Sequence, residues 1–391
     1  MSFNIALSGL NAVSSALTQI SNNIANSATY GFKSGSASFA SSYADGKGAG
    51  TYVNSVSQTI DQKGNIVPTG RGLDAAVDGR GFFVVADSDG SVMYTRTGQF
   101  SVDANGFLVD ASGRHLRGYS ATSNGALGDL SVPSGGMLAK ASASLSYAGT
   151  MSADWSAPAT ATFDMADPTS YNAVQVTSVY DSLGREHTLS QYFVRGNGNQ
   201  VDVHYATDGT LNAATGSLQF DTSGQLTVPA APVSVALGTP TGAAPMVLAI
   251  NYTGTVFAGG KFSTTTNAAD GNAPGSLTNV TLDGDGSIQL GYSNGQKVSA
   301  GQLALASFPA EEALSAVDGN AWQPNAATGA AVYGVAGSGL LGALKTQSLE
   351  SSNVNMANEL VNLMSTQQNY QANSKVLSSE NEMIKTLMQA I

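Results

Sequence analysis

The chain has no cysteine among its 391 residues, and only 11% of them are charged, where soluble domains usually run near about 25%. Without thiols there is no disulfide, no thiolate metal site and no cysteine nucleophile, so the chain is indifferent to the redox state of its compartment. The little charge present is lopsided. Sixteen basic against 27 acidic side chains leave a net −11, which argues against nucleic acid as a partner. No apolar run approaches the ~20 residues of a membrane span, so no membrane insertion is expected. Residues 1–32 carry no charged side chain and break their apolar positions with Ser and Asn, unlike the basic start and continuous apolar core of a secretory signal. Export, if it occurs, is expected without a cleaved signal peptide.

Catalytic constellations are also missing. His115, His187 and His204 lie far apart and lack the His-Glu-x-x-His spacing that puts two metal ligands on one helical face. Gly291-Tyr292-Ser293-Asn294-Gly295 matches a nucleophile elbow, but that elbow needs a helix on its exit side, and Gln296–Ser307 alternates like a strand. Asn294-Gly295 is instead a hairpin dipeptide. Asp87–Ser91 and Asp283–Ser287 superficially resemble calcium loops without the closing bidentate Glu, and read as tight turns. No Gly-rich loop has phosphate-binding spacing, so no cofactor and no metal is expected, and the chain reads as a non-enzyme.

What is present is a helix at each end and strands between. From Phe3, apolar residues recur at Leu7, Leu10, Val13, Leu17, Ile20 and Ile24, a stripe in steps of three and four that predicts a helix ending near Asn26. Near the C-terminus, Met356, Leu360, Leu363, Tyr370, Leu377, Ile384, Met388 and Ile391 occupy heptad core positions, with Gln367, Ser374 and Asn381 as polar members of the seam. Both stripes are narrow, and Gly9 with many Ser and Asn residues weakens each helix. Pairing as a coiled coil, or with copies in neighbouring subunits, is therefore expected, with Leu7, Leu10, Leu17, Ile20, Ile24, Leu360, Leu363, Tyr370, Leu377 and Ile384 as the assembly interface. The alternative is that each helix caps the protein's own β core.

The expected fold is mainly β with terminal α-helices, in nested, discontinuous domains. Residues 1–30 with 352–391 form a helical coiled-coil domain, 31–72 a Ser/Gly/Ala-rich extended connector, 73–145 with 285–351 an inner β domain, and 146–284 an inserted outer β domain.

Several motifs carry a family resemblance. Ala6-Leu7-Ser8-Gly9-Leu10-Asn11-Ala12, Ile20-Ser21-Asn22-Asn23-Ile24-Ala25-Asn26 and Tyr30-Gly31-Phe32-Lys33 resemble the N-terminal signature of the bacterial flagellar rod and hook protein family. Leu73–Phe83, Tyr94-Thr95-Arg96-Thr97-Gly98, Ser352-Asn353-Val354 and Gln368–Asn373 are similar to further stretches of it, and Tyr180–Gly184 with His187–Leu189 resembles the insertion of its hook members. Ser27-Ala28-Thr29 and Gln367-Gln368 depart from the commonest pattern, and residues 222–275, matching nothing, are expected to face solvent. The resemblance implies a structural subunit of the extracellular hook: a curved, flexible helical tube that transmits motor torque to the filament and passes export substrates through its channel. Its partners would be further copies of itself, the hook cap, the distal rod and hook–filament junction proteins and the export apparatus. Two other readings stand beside it, a distal rod subunit, and a β-rich secreted adhesin or glycan-acting enzyme, the last needing paired carboxylates in a cleft.

Overall fold

The computed structural model describes residues 2–44, 47–121 and 125–389, and is mainly β with a long helix at each end. It divides into two compact units: residues 1–134, 279–291 and 297–391, and residues 135–278 with 292–296.

In the first unit the N-terminal helix α1 spans Ser2–Ala25 and the C-terminal helix α2 spans Met356–Gln389. At 1.5 Å per residue they are about 36 and 51 Å long. The start of α2 is fixed by Asn355, whose side-chain oxygen accepts from the Asn358 N–H at 3.2 Å, with Glu359 placed in the first turn where a helix dipole favours an acid.

Between α1 and the β core lies an antiparallel hairpin, β1 (Gly35–Ala44) and β2 (Lys47–Gln58), paired from Gly35↔Gln58 to Ala44↔Lys47. The segment expected to be an extended connector is thus a long hairpin. Its Ser- and Gly-rich composition hides a two-residue alternation, and an isolated two-stranded hairpin is marginal in water. Here α1 supports it: the Thr51 N–H donates to Ser8 Oγ at 3.1 Å, and the Asn23 carboxamide exchanges two hydrogen bonds with the Gly35 backbone at 2.8 and 2.9 Å.

The core of this unit is built around Phe82–Ala86, a wholly buried strand, as its unbroken apolar run requires. It pairs with Val92–Thr95 and His115–Ser120 from its own half of the sequence, and with Leu305–Ser307 from beyond the second unit. Phe82, Tyr94, Phe308 and Trp322 meet edge to face, with ring centroids 4.7 Å apart for Tyr94–Phe308 and 5.6 Å for Phe82–Trp322.

The second unit has two five-stranded sheets. One runs in sequence order from Ala173–Tyr180 to Leu226–Val228, and the other gathers Ser144–Ser152 with four strands between Val233 and Ala269. Tyr147, Phe193, Val203, Leu218, Leu248 and Ile250 belong to one buried cluster drawn from both sheets. Residues 222–275 were expected to face solvent. Instead their strands supply Val235, Leu248, Ile250 and Phe257 to this core, because a charge-free stretch with alternating Val, Leu and Ile buries one face of each strand.

Among the described residues six turns share the pattern Asp-x-x-Gly, opening at Asp87, Asp103, Asp110, Asp181, Asp221 and Asp283. In each the glycine has a φ between 78° and 87° and its N–H donates to the Asp carbonyl, while the Asp N–H returns to the carbonyl four residues on. Asp87–Ser91 and Asp283–Ser287 are therefore hairpin turns, and Tyr292–Gln296 makes the same hydrogen-bond pair with Gly295 at φ 79°.

Candidate assembly surface

Helices α1 and α2 pack on one another through small and polar residues. Gly9 lies close to Asn373: a Cβ there would sit 3.1 Å from its Nδ2, so any larger residue would press the Asn373 side chain aside. Buried Asn23 donates to Glu359 Oε1 at 3.1 Å while also holding Gly35, so one carboxamide joins both helices and the hairpin. A groove of about 430 Å³ between them is lined by Ala12, Val13, Phe39, Thr366 and Asn373.

The expected seam on α2 is only partly the one used. The half-buried positions are Glu359, Leu363, Thr366, Asn373, Leu377 and Glu380, while Gln367, Ser374 and Asn381 are exposed. Leu363 and Leu377 keep their place, but the polar member of each heptad falls one residue earlier. The cause is the opposing surface: Gly9, Ala12 and Ala16 leave room for Thr366 and Asn373, and Asn23 gives Glu359 a partner. Of the expected interface, Leu10, Leu17, Ile20 and Ile24 are half-buried on α1, whereas Leu7, Leu360, Tyr370 and Ile384 are exposed. No residue of α2 is buried, and Val361, Met364, Val376, Met383, Leu387 and Met388 are exposed as well. Ile391 lies outside the described residues. A helix with this much unpartnered apolar surface is built for contact with something else.

Below the helices the chain crosses a buried ionic joint that sequence reasoning missed. Lys33 Nζ lies 2.8 Å from Glu350 Oε1 and donates to the Gln62 carbonyl at 2.6 Å. Arg96 Nη1 stands 3.5 Å from Glu350 Oε2, and the Gly64 N–H donates to Oε1 at 2.9 Å. All three side chains are at most 3% exposed. Burial pulls the Lys33 ammonium below its usual range, with Glu350 opposing the shift, and burial likewise lowers Arg96. Alongside, Asn353 Oδ1 accepts from the Ser34 N–H at 2.7 Å and its Nδ2 donates to Thr59, while Thr97 Oγ1 donates to the Tyr30 carbonyl. Three motifs far apart in sequence, Tyr30–Lys33, Tyr94–Gly98 and Ser352–Val354, thus meet where both helices leave the β core. The available signal was the presence of Lys33, Arg96 and Glu350 in a chain with so few charges.

The histidines stay separate: His115 pairs with Asp129 at 3.1 Å, His204 stacks on Phe163 at 4.1 Å, and His187 sits between Asp208 at 2.6 Å and Asp181 at 3.5 Å. The hydrogen bond to Asp208 raises the His187 pKa against the opposing effect of burial. Burial pushes the Asp181 carboxyl up, but hydrogen bonds from Arg185, Leu183 and His187 outweigh it and hold it at about 2.

The comparisons with known proteins agree along the whole chain. Residues 3–33 match the family described as flagella basal body rod protein, 76–153 the flagellar hook protein FlgE/F/G D1 domain, 150–272 the flagellar basal body protein FlaE D2 domain, and 345–390 the flagellar basal body rod FlgEFG protein C-terminal region. The flagellar hook protein FlgE of Salmonella typhimurium is 38% identical over 403 aligned positions, covering 99% of both chains. The chain belongs to the flagellar hook protein family. The Escherichia coli K12 hook protein is 37% identical with 99% of both chains covered, and that of Rhizobium meliloti 32% identical with 98% of this chain and 97% of the other. A crystal structure of Helicobacter pylori flagellar hook protein FlgE2, 12% identical, covers 73% of this chain and 100% of its own with a TM-score of 0.56, a likeness of fold. The hook family is structural and not enzymatic, and residues 222–275 fall largely within one of its domains.

Proposed function

We propose that the chain is the repeating subunit of the flagellar hook, a curved and flexible helical tube outside the cell that passes motor torque to the filament and export substrates through its channel. The observation that carries this reading is the exposed apolar surface of α2, from Leu360 through Tyr370 and Ile384 to Met388. Each such side chain, about half exposed in the single chain, contributes on the order of 1 kcal/mol when a neighbour covers it. Many weak apolar contacts hold subunits together while letting them shift, whereas buried ion pairs would fix one register. The charge-poor composition suits that demand.

The helical ends, 1–30 with 352–391, form the inner wall, with the polar positions of α2 turned to the channel so that passing chains meet neither apolar patches nor strong fields. The inner β parts, 73–145 with 285–351, and the inserted part, 146–284, fold as β domains of their own. Hook cap, distal rod, hook–filament junction and export apparatus are the partners, and delivery is by the export channel without a cleaved signal. Electron microscopy of purified assemblies tests this directly. Curved tubes are expected, straight tubes would favour a distal rod subunit, and isolated globules would overturn the polymer.

A further inference from the structure

The sequence contains four Asn-Gly pairs, at Asn105, Asn124, Asn197 and Asn294, and the fold treats the described ones very differently. Asn124 lies outside the described residues. The Gly106 N–H is committed to the Asp103 carbonyl at 3.1 Å, and the Asn105 carboxamide donates to Asp103 Oδ2 at 3.3 Å. The Gly295 N–H likewise donates to Tyr292 at 3.0 Å, while Asn294 Nδ2 donates to the Ala273 carbonyl at 2.6 Å and its Oδ1 accepts from Gln296 at 3.1 Å. Asn197 and Gly198 are exposed at the tip of the hairpin joining Glu186–Arg195 to Gln200–Thr207. Neither the Asn197 carboxamide nor the Gly198 N–H has a hydrogen-bond partner among the described residues, and a Cβ on Gly198 would meet nothing within 4 Å. Glycine on both sides, Gly196 and Gly198, removes the side-chain bulk that normally slows approach of the backbone nitrogen.

We propose that Asn197 is a site of spontaneous covalent modification, converted through a cyclic imide to aspartate and isoaspartate. The Gly198 nitrogen, losing its proton to solvent base, bonds to Asn197 Cγ, and the Cγ–Nδ2 bond breaks with release of ammonia. Water then opens the five-membered ring at either carbonyl, giving the normal or the β-linked acid, with no oxidant and no cofactor. Each conversion takes the net charge from −11 to −12, since one neutral amide becomes one carboxylate. At Asn105 and Asn294 the same attack must first break the hydrogen bonds that occupy nucleophile and electrophile, which slows it by at least about tenfold. The hairpin tip accommodates the extra backbone carbon of isoaspartate because the strand pairing begins on either side of it.

The test is prolonged incubation of the full chain at 37 °C and mildly alkaline pH, with peptide mapping that separates aspartate from isoaspartate at each site. A parallel sample is held in concentrated urea. In the folded chain Asn197 is expected to convert at least tenfold faster than Asn105 and Asn294, and in urea the three rates should converge. A Gly198→Ala variant should slow conversion at Asn197 alone. Equal rates at Asn197, Asn105 and Asn294 in the folded chain, or the same rate ratios folded and in urea, would overturn the assignment.

Discussion

Removing Glu350 should cost the first unit more than any other single charge. Its carboxylate is 1% exposed, pairs with both Lys33 and Arg96, and accepts the Gly64 N–H. Glu350→Leu leaves two buried cations facing each other with no acid between them, and stripping one partner from a buried pair costs about 3–5 kcal/mol. Lys33→Met is milder. It leaves Glu350 with Arg96 and Gly64, and the chief loss is one charged hydrogen bond and the donor to the Gln62 carbonyl, about 2 kcal/mol. Because the two side chains touch, the double variant should cost less than the sum of the two by at least about 1 kcal/mol.

Urea unfolding followed by tryptophan fluorescence can read this. The chain has two tryptophans, and Trp322 is buried in the first unit's core, so a Trp155→Phe background reports on that unit alone. A Glu350→Leu loss below about 1 kcal/mol, or a strictly additive double variant, would refute the idea that this joint is a coupled ionic cluster.

Histidine 187 sets a pH dependence on the second unit. Its pKa is raised in the fold, so its contribution is complete below about pH 6.5 and is lost as pH rises through the higher folded value. Asp181, held at about 2, contributes above about pH 4 and loses its share as pH falls towards 2, so thermal stability should peak between these limits and His187→Gln should flatten the alkaline slope. Gly98→Ala should destabilise the first unit by about 3 kcal/mol or more, since a Cβ would lie 1.6 Å from the Ala75 carbonyl, and an unchanged melting temperature would contradict the packing described. Ile384→Asp should leave monomer stability within about 0.5 kcal/mol, the residue being exposed, yet suppress tube formation in sedimentation assays. In intact tubes, single cysteines at Ser365 and Ser379 should react with a small thiol reagent while one at Leu363 should not, a clean experiment in a chain with no native thiol. Equal labelling would reject a channel lined by the polar positions of α2.

How far such features were legible depended on the range of the interaction behind them. The terminal helices and the Phe82–Ala86 strand showed in the spacing of apolar residues because a single local period, 3.6 or a continuous run, decides them. The turns at Asp87–Ser91 and Asp283–Ser287 were equally plain, since glycine at positive φ and the preceding Asp act within five residues. The β1–β2 hairpin was hidden because its stability comes from Ser8 and Asn23 on α1, outside the segment itself. Heptad counting found the right face of α2 at Leu363 and Leu377 but placed its polar members at Gln367 and Ser374, because such counting assumes a partner of uniform width. The actual partner narrows at Gly9 and Ala12, and that is why Thr366 and Asn373 fit instead. The ionic joint was the least visible of all, with Lys33 and Glu350 separated by 317 positions. A charge-poor sequence still points to such a joint in one way. Where charges are few, a Lys beside Phe32 and a Glu beside Leu349, each in an otherwise apolar and small-residue context, must be either exposed to water or paired, and both neighbours are buried. Pairing was then the only inexpensive outcome, and only the fold could supply the partner.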